Sequence, residues 1–344
     1  MNEPPVVSVI VLGWNGVGYV DECLTTLLDQ DIGRPYEVLF IDNGSTDGTP
    51  DRAATYDDVQ VHRLDRNYGY CIGNNIGFEH ACGEYVVFLN QDVVLHRSWL
   101  RELLAAIEGD PSIQAAHANI LQPWYPQFEA MERQQPVDAA YTADLSPLGY
   151  IRYRGIPLAD RIVDTTFLHG VSIIARRSFI EDSGYAFDPD MFAYAEDLDL
   201  ALRVIAAGYR TVAATRATVY HRHTLEARPS LRSFQKTVRI IRNRLLAMWK
   251  CSTWDEFIPL ATLTVIGAPF NAAQFGTPAP RRVLHFLLLI PPALIAPFTA
   301  LIMMPRLSSR RRRILTTRRV ERHWLLRRLY GIGRRREVAP LARS

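Results

Sequence analysis

Early in the chain, three apolar runs each stop at a polar cluster, and this repeated junction limits the fold more than any other feature. Val6–Leu12 leads to Trp14-Asn15, Glu37–Ile41 leads to Asp42-Asn43-Gly44-Ser45-Thr46-Asp47-Gly48, and Tyr85–Leu89 leads to Asn90-Gln91-Asp92. Runs this rich in β-branched residues suit strands buried on both faces. Between them, Tyr19–Leu28 carries apolar residues at helical spacing, Val59–Leu64 reads as a short strand, and Asn74–Ala81 as a helix. This βαβα alternation predicts an α/β, Rossmann-like fold: a mostly parallel sheet flanked by helices, with ligands beyond the carboxyl ends of the strands. The polar clusters lie at those ends.

From Pro123 to Asp164 the periodicity fades, which suggests an irregular acceptor-side segment. Order returns at Phe167–Arg176. Glu196–Ala207 reads as a helix with Leu198, Leu202 and Ile205 on one face and Gly208 at the C-terminal cap, and Thr211–Tyr220 is strand-like. A chain of 344 residues exceeds one ordinary domain. The expected division is a catalytic domain over 1–225 and a helical, hydrophobic, arginine-rich extension over 226–344.

The net charge of +3 conceals an uneven distribution. Arg306, Arg310, Arg311, Arg312 and Arg313 open a basic tail that continues to Arg334, Arg335 and Arg336, and such a block calls for an anionic partner. Just before it, Val283–Met304 is almost wholly apolar and approaches the ~20 residues that cross a bilayer. Pro291, Pro292 and Pro297 fall inside it and read as interruptions, while Arg281 and Arg282 precede it, so a single span would leave one basic flank on the wrong side. The expectation is a re-entrant or in-plane anchor on an anionic membrane surface, with a buried helical hairpin or an oligomer contact as the alternative. Self-association into a homo-oligomer stays open. A basic tail could also bind nucleic acid, but its position after an apolar segment favours lipid, and no nucleic-acid partner is expected. Cys23, Cys71, Cys82 and Cys251 show no metal-ligand spacing and fit free thiols in a reducing compartment. The N-terminus lacks a basic signal region. Both readings point to the cytoplasmic face of the cell membrane.

Five clusters carry candidate chemistry. Asp42–Gly48, placed after a buried strand, could meet a base or ribose, although an Asx-type turn uses the same residues. Asn67, Gly69, Gly73, Asn74 and Gly77 combine glycines that permit close backbone approach with amides suited to phosphate at a helix start. Their spacing matches neither the dinucleotide fingerprint nor a P-loop. Asn90 and Asp92 lie two apart on an extended chain, so their oxygens share one side and suit Mg²⁺ or Mn²⁺ bridged to a diphosphate. Glu196-Asp197-Leu198-Asp199 opens a helix after the aromatic residues Phe187, Phe192 and Tyr194; the macrodipole alone favours acids there, and one of them is a candidate general base. His221-Arg222-His223 ends the last strand-like run.

Taken in order, Val7–Val11 with Trp14-Asn15, Asp42–Gly48, Asn67-x-Gly69, Gly73-Asn74-Asn75-x-Gly77, Asn90-Gln91-Asp92, His169-Gly170, Glu196-Asp197-x-Asp199 and His221 resemble family 2 glycosyltransferases of the GT-A fold. The bacterial rhamnosyltransferase-like branch is most similar, over residues 6–225. The resemblance implies that Asn15, Asp42, Asn67, Gly69, Asn74 and Asn90 contact a nucleotide-sugar donor and that Asp92 and His221 hold Mg²⁺ or Mn²⁺. It makes Asp197 the catalytic base and places His169, Gly170 and Glu196 toward the acceptor. Asn90 departs from the pattern, standing where a full D-x-D has its first carboxylate. The implied activity is inverting transfer of a sugar, rhamnose or another deoxysugar, to a lipid-linked glycan in cell-envelope polysaccharide synthesis. The alternative is a non-catalytic, nucleotide-binding membrane scaffold.

Overall fold

The computed structural model describes residues 3–121, 140–146, 151–156, 161–222, 231–271 and 279–330. His223 and Arg334–Arg336 fall outside them, as does much of the Pro123–Asp164 segment. The chain divides into two compact units. One comprises Met1–Ala143, Tyr153–Ala201 and Arg210–Leu225; the other comprises Asp144–Arg152, Leu202–Tyr209 and Glu226–Ser344.

The first unit begins with the expected alternation: β1 (Val7–Gly13), α1 (Val17–Leu28), β2 (Tyr36–Asp42), α2 (Thr49–Ala53), β3 (Val59–Arg63), α3 (Gly69–His80) and β4 (Tyr85–Asn90). There follow β5 (Val93–Leu95), α4 (Trp99–Glu108), β6 (Ile113–Leu121), β7 (Ala140–Leu145), β8 (Ile151–Ile156), β9 (Ile162–Asp164), β10 (Ser172–Arg176), α5 (Arg177–Ser183), α6 (Glu196–Ala206) and β11 (Arg210–His221). Nine strands form one sheet in the order β3-β2-β1-β4-β10-β6-β11-β5, with β9 on β11. Pairing is parallel from β3 through β4 and again between β6 and β11, whereas β10, β5 and β9 join antiparallel. The sheet is therefore mixed, with the parallel half carrying the first three polar junctions. β7 and β8 pair separately as a two-stranded sheet inside the stretch whose sequence looks irregular.

β1 runs between β2 and β4, so its neighbours' ends meet at one place: Gly13 stands opposite Asp42, and Leu12 opposite Asn90. Helix α1 buries Val20, Cys23, Leu24 and Leu27 against the sheet, and α4 buries Trp99, Leu100, Leu103 and Ile107. Trp99 is fully enclosed, and its indole N–H donates to Ser172 Oγ at 3.1 Å, so a large side chain is buried with its polar atom satisfied.

Helix α3 starts at Gly69, five positions before the expected Asn74, and this reassigns its glycines. A Cβ on Gly73 would lie 2.6 Å from Leu12 Cδ1, and one on Gly77 would lie 2.5 Å from Ile10 Cγ2 and 3.0 Å from Ile41 Cγ1. The four-residue spacing places both glycines on one helix face, and that face seats the helix on β1 and β2. Their close approach is to the core, not to phosphate.

The second unit holds α7 (Leu231–Cys251), α8 (Trp254–Asn271), α9 (Ala279–Thr317) and α10 (Trp324–Tyr330). Contrary to the expected interruption, α9 runs on through Pro291, Pro292, Pro297 and Pro305. Each proline removes one N–H donor, a loss that packing on α7 and α8 can offset. Within α9, the helical stretch Leu287–Thr317 contains an 18-residue window with a mean hydropathy of 2.2, long and apolar enough to cross a membrane. Its packing is inverted relative to a soluble helix. Ala293, Ala296, Ala300 and Met304 are buried, while Leu294, Ile295, Phe298, Leu301 and Ile302 are exposed. In α8, Glu256 is fully enclosed and paired with Arg318 through two 2.7 Å hydrogen bonds. Burial pushes its carboxyl up, but the Arg318 and Thr253 bonds outweigh this and hold it low.

Gly77→Ala distinguishes the two readings of the glycine series by sign. As a packing contact it should destabilise the fold by about 1–3 kcal/mol in chemical denaturation. A glycine reserved for a ligand would instead gain up to about 1 kcal/mol from alanine's helix propensity.

Candidate active site

The loop after β1 is stitched to the loop after β2. Asn15, at φ +43°, donates its backbone N–H to Ser45 Oγ at 2.9 Å and accepts from Thr46 N–H at 2.8 Å; Gly16 N–H reaches Thr49 Oγ1 at 2.9 Å and Val17 N–H reaches Asp47 Oδ2 at 3.2 Å. Ser45, Asp47 and Thr49 are thus engaged in holding the turn. Asp42 differs. It is buried, its Oδ2 accepts from Ser45 N–H at 3.2 Å, and its Oδ1 meets no partner. A buried carboxylate oxygen left open at a strand end is an acceptor available to a ligand donor.

The third junction is fixed by Gln91, which donates to Trp14 O at 2.8 Å. Its side chain occupies the space against Gly16, where a Cβ would fall 2.2 Å from Gln91 Nε2. Asn90 stays half-buried at the end of β4, and Asp92 turns toward β11, where its Oδ2 lies 3.1 Å from His221 Nε2. The Asp92 side chain is 25% exposed and that of His221 only 7%, so a reachable carboxylate stands beside an enclosed imidazole.

That spacing bears on the ion expected here. Two ligand atoms at ~2.1 Å from an octahedral cation and at right angles are separated by ~3.0 Å. The Asp92–His221 pair fits this, and one oxygen with one nitrogen suits Mn²⁺ as well as Mg²⁺. Among the described residues no cluster of three or more His, Cys, Asp or Glu side chains forms. A cation at the pair would have room for ligands from outside these side chains, such as diphosphate oxygens and water.

The acidic helix start is positioned by a strained loop. Asn75 clamps Phe187 by both backbone groups, donating to its carbonyl at 2.7 Å and accepting from its N–H at 3.0 Å. Phe192, at φ +62° and ψ −63°, is the centre of a rare γ-turn closed by Ala193 N–H to Met191 O at 2.8 Å, and Tyr194 and Ala195 also have positive φ. The turn is held from below. Phe192 O accepts from Cys71 N–H at 3.0 Å, and a Cβ on Gly69 would strike Phe192 at 2.6 Å. Gly69, expected to face a nucleotide, instead makes room for this loop.

Asp197 then projects from the first turn of α6. Its Oδ2 accepts from Gly170 N–H at 3.2 Å and its Oδ1 from Leu198 N–H at 2.7 Å, while Gly170 O accepts from the Tyr70 hydroxyl at 2.7 Å. A Cβ on Gly170 would come within 3.2 Å of Asp197 Oδ2, a tight contact that would press on this carboxylate. His169 is half-buried with its ring edge-on to Phe167 at 6.4 Å. Burial first, then the charges of Glu196 and Asp197, push the Tyr70 hydroxyl far up and keep it a donor.

Asn67 and Asn74 do not sit as expected. Asn67 Oδ1 accepts from Gly69 N–H at 2.8 Å and from Asn43 Nδ2 at 3.2 Å, shaping the entry to α3. Asn74 is fully enclosed and donates to Tyr70 O at 3.0 Å, out of reach of a nucleotide. The residues sequence reasoning missed are Asn43, Tyr70, Asn75 and Gln91. Asn43 is buried between two polar clusters and takes Tyr68 N–H at 2.9 Å, a tie that spacing alone does not reveal.

The family model for glycosyl transferase family 2 matches residues 8–182. The chain belongs to glycosyl transferase family 2. It is 26% identical to Glycosyltransferase AglE of Haloferax volcanii over 60% of its own length and 63% of that protein's. It is 27% identical to O-antigen biosynthesis protein RfbC of Myxococcus xanthus over 65% of its length and 18% of that protein's. The chain thus spans less than two thirds of these relatives. The crystal structure of GalNAc-T7 with UDP, GalNAc and Mn²⁺ superposes with a TM-score of 0.56 at 16% identity, covering 81% of this chain and 52% of the other. The mixed sheet with flanking helices is the GT-A architecture.

In this family 2 chain, Glu196 is the least compensated acid of the site. It is 6% exposed, and its Oε2 meets no partner. Burial, followed by the charges of Asp197 and Asp199, pushes its carboxyl well above the ordinary glutamate range. A raised folded-state pKa means that the folded protein holds a proton the unfolded chain releases, so stability falls as pH rises from about 4.5 through the folded value. Glu196→Gln should therefore raise the melting temperature at pH 8 and leave it nearly unchanged at pH 4. Equal shifts at both pH values would contradict the buried-carboxylate assignment.

Proposed function

We propose that this chain transfers a sugar from a nucleotide-sugar donor to an acceptor hydroxyl, with inversion at the anomeric carbon. The observation that carries the reading is one unit presenting an open Asp42 oxygen, the Asp92–His221 pair at 3.1 Å and an anchored Asp197 carboxylate at the ends of its strands and the start of α6. Family membership supports it. So does the similarly folded GalNAc-T7, solved with UDP, GalNAc and Mn²⁺.

In this reading Asp42 accepts from the nucleoside. Asp92 and His221 would hold Mg²⁺ or Mn²⁺, which when bound would supply positive charge against the diphosphate leaving group. Gly170 N–H and Tyr70, acting through Gly170, fix the Asp197 carboxylate as general base. Asp197 takes the proton of the attacking hydroxyl, a bond forms from its oxygen to the anomeric carbon, and the bond to the nucleoside diphosphate breaks on the opposite face. No covalent enzyme intermediate is needed. His169, Gly170 and Glu196 border the acceptor side.

The acceptor we favour is a lipid-linked glycan of the cell envelope, and the donor a deoxysugar nucleotide such as a rhamnose donor. RfbC is named for O-antigen biosynthesis, which supports the envelope reading. The exposed large apolar residues of α9 and the arginines that follow support attachment to the cytoplasmic face of the membrane, through a helix lying in its plane.

Asp197→Asn should retain donor binding and lose about 10²–10⁴-fold in transfer, as expected for removal of a general base. The assay is a screen of nucleotide sugars for donor hydrolysis and transfer, with Mg²⁺ or Mn²⁺ and with EDTA. EDTA and Asp92→Ala should produce overlapping losses. Near-normal turnover by Asp197→Asn, or indifference to EDTA, would remove that residue or the metal from the mechanism.

A further inference from the structure

Within the second unit, the end of α7, the start of α8 and the basic end of α9 enclose a surface hollow of about 380 Å³. It is lined by Trp249, Trp254, Ser308, Arg311, Arg312, Leu315 and Thr316. Arg311 sits against a pair of neighbouring indoles: its guanidinium carbon is 5.0 Å from the Trp249 ring centre and 5.4 Å from that of Trp254, and the two rings are 6.3 Å apart. Contact with both rings restrains the guanidinium.

Arg311 gives one N–H to Ser252 O at 2.7 Å, which with the indoles restrains its guanidinium at the wall of the hollow. Among the described residues no carboxylate pairs with Arg311 or Arg312. The nearby acids are committed elsewhere, Asp255 to Arg322 at 2.9 Å and His323 at 3.1 Å, and Glu256 to Arg318 at 2.7 Å. Two adjacent cations with no carboxylate partner, one of them restrained by two indoles and a carbonyl, form a surface suited to a tetrahedral oxyanion.

The same helix indicates where that anion comes from. Roughly 13 Å before Arg311 along α9 begins the exposed apolar face of Leu294, Ile295, Phe298, Leu301 and Ile302. Trp254, at the rim of the hollow, is 54% exposed. With α9 lying in the membrane plane, its outward apolar face would meet acyl chains, while the neighbouring indole of Trp254 on α8 and the arginines would sit at headgroup level. We propose that this hollow binds the phosphate of an anionic phospholipid headgroup. The proposal rests on the membrane attachment argued above and adds to it a defined site, distinct from diffuse attraction by the basic tail.

The test is flotation of the full chain with vesicles of phosphatidylcholine alone, and of phosphatidylcholine containing phosphatidylglycerol. Binding to neutral vesicles reports the apolar face, so its absence in the parent chain would count against membrane attachment itself. The gain on adding phosphatidylglycerol reports the hollow. Arg311→Gln should reduce that gain by tenfold or more, whereas Arg313→Gln, outside the hollow, should reduce it by no more than the about fivefold expected for one generic surface charge. Arg311→Lys keeps the charge but loses the stacked fork, and it should behave like Arg311→Gln. Unchanged circular dichroism and unchanged neutral-vesicle binding show that each variant is folded; should Arg311→Gln fail this check, Arg311→Lys and Trp254→Phe carry the test. Equal losses for Arg311→Gln and Arg313→Gln, or parent-like binding by Arg311→Lys, would overturn the site. So would competition of the gain by millimolar inorganic phosphate, or Arg311-dependent capture of RNA, since either would name a soluble or nucleic-acid phosphate as the ligand.

Discussion

The candidate site depends on the position of β1 between β2 and β4. Parallel pairing on both sides brings the carboxyl ends of three strands level, so that Gly13 meets Asp42 and Leu12 meets Asn90. A shift of one residue in either register would turn the strand-end side chains to the other face of the sheet. The register is held by burial. Val9, Ile10, Val11, Phe40, Ile41, Val87 and Phe88 are all fully enclosed, so slippage would expose the core. Gly73 and Gly77 act in the same cause, letting α3 settle on Leu12, Ile10 and Ile41 at distances that no side chain would allow.

On that base, the catalytic side is built from less stable parts. The γ-turn at Phe192, the positive φ of Tyr194 and Ala195, and the enclosed Glu196 are each unfavourable locally. They are held by the two bonds from Asn75 to Phe187, by Cys71 N–H to Phe192 O, and by the space at Gly69. The result is an acidic helix start aimed at Gly170 and fixed there by an N–H and, one bond further, by the Tyr70 hydroxyl. Strain and an enclosed acid gather at the start of α6, where the proposed mechanism needs a proton acceptor, while the parallel half of the sheet supplies the frame.

Much of this was legible in the sequence, and the reasons differ by element. β1, β2 and β4 could be read because fully buried strands leave unbroken apolar runs, and Gly208, at φ +86°, marks the end of α6 as its position suggested. Asp92 and His221 were expected near one another and lie 3.1 Å apart, although 129 positions separate them. The glycine series was misread because a four-residue spacing serves helix packing and backbone access to ligands equally well. Asn74 and Asn75 are adjacent in sequence but roughly 100° apart around the helix. One faces Tyr70 inside the fold and the other reaches Phe187, a difference that no composition rule carries. The prolines of α9 were read as breaks because the rule treats a helix in isolation, whereas α9 is supported by α7 and α8.

In the function proposed above, the paired Asp92 and His221 would complete a cation site only together with a nucleoside diphosphate. Paramagnetic titration of Mn²⁺ against the full chain, with and without UDP, GDP and dTDP, tests it most directly. Binding of Mn²⁺ alone should be weak, because the site offers one carboxylate and one imidazole, and at least tenfold tighter with one of the three diphosphates, a gain abolished by Asp92→Ala. Mn²⁺ binding that is indifferent to every diphosphate, or that survives Asp92→Ala unchanged, would contradict it.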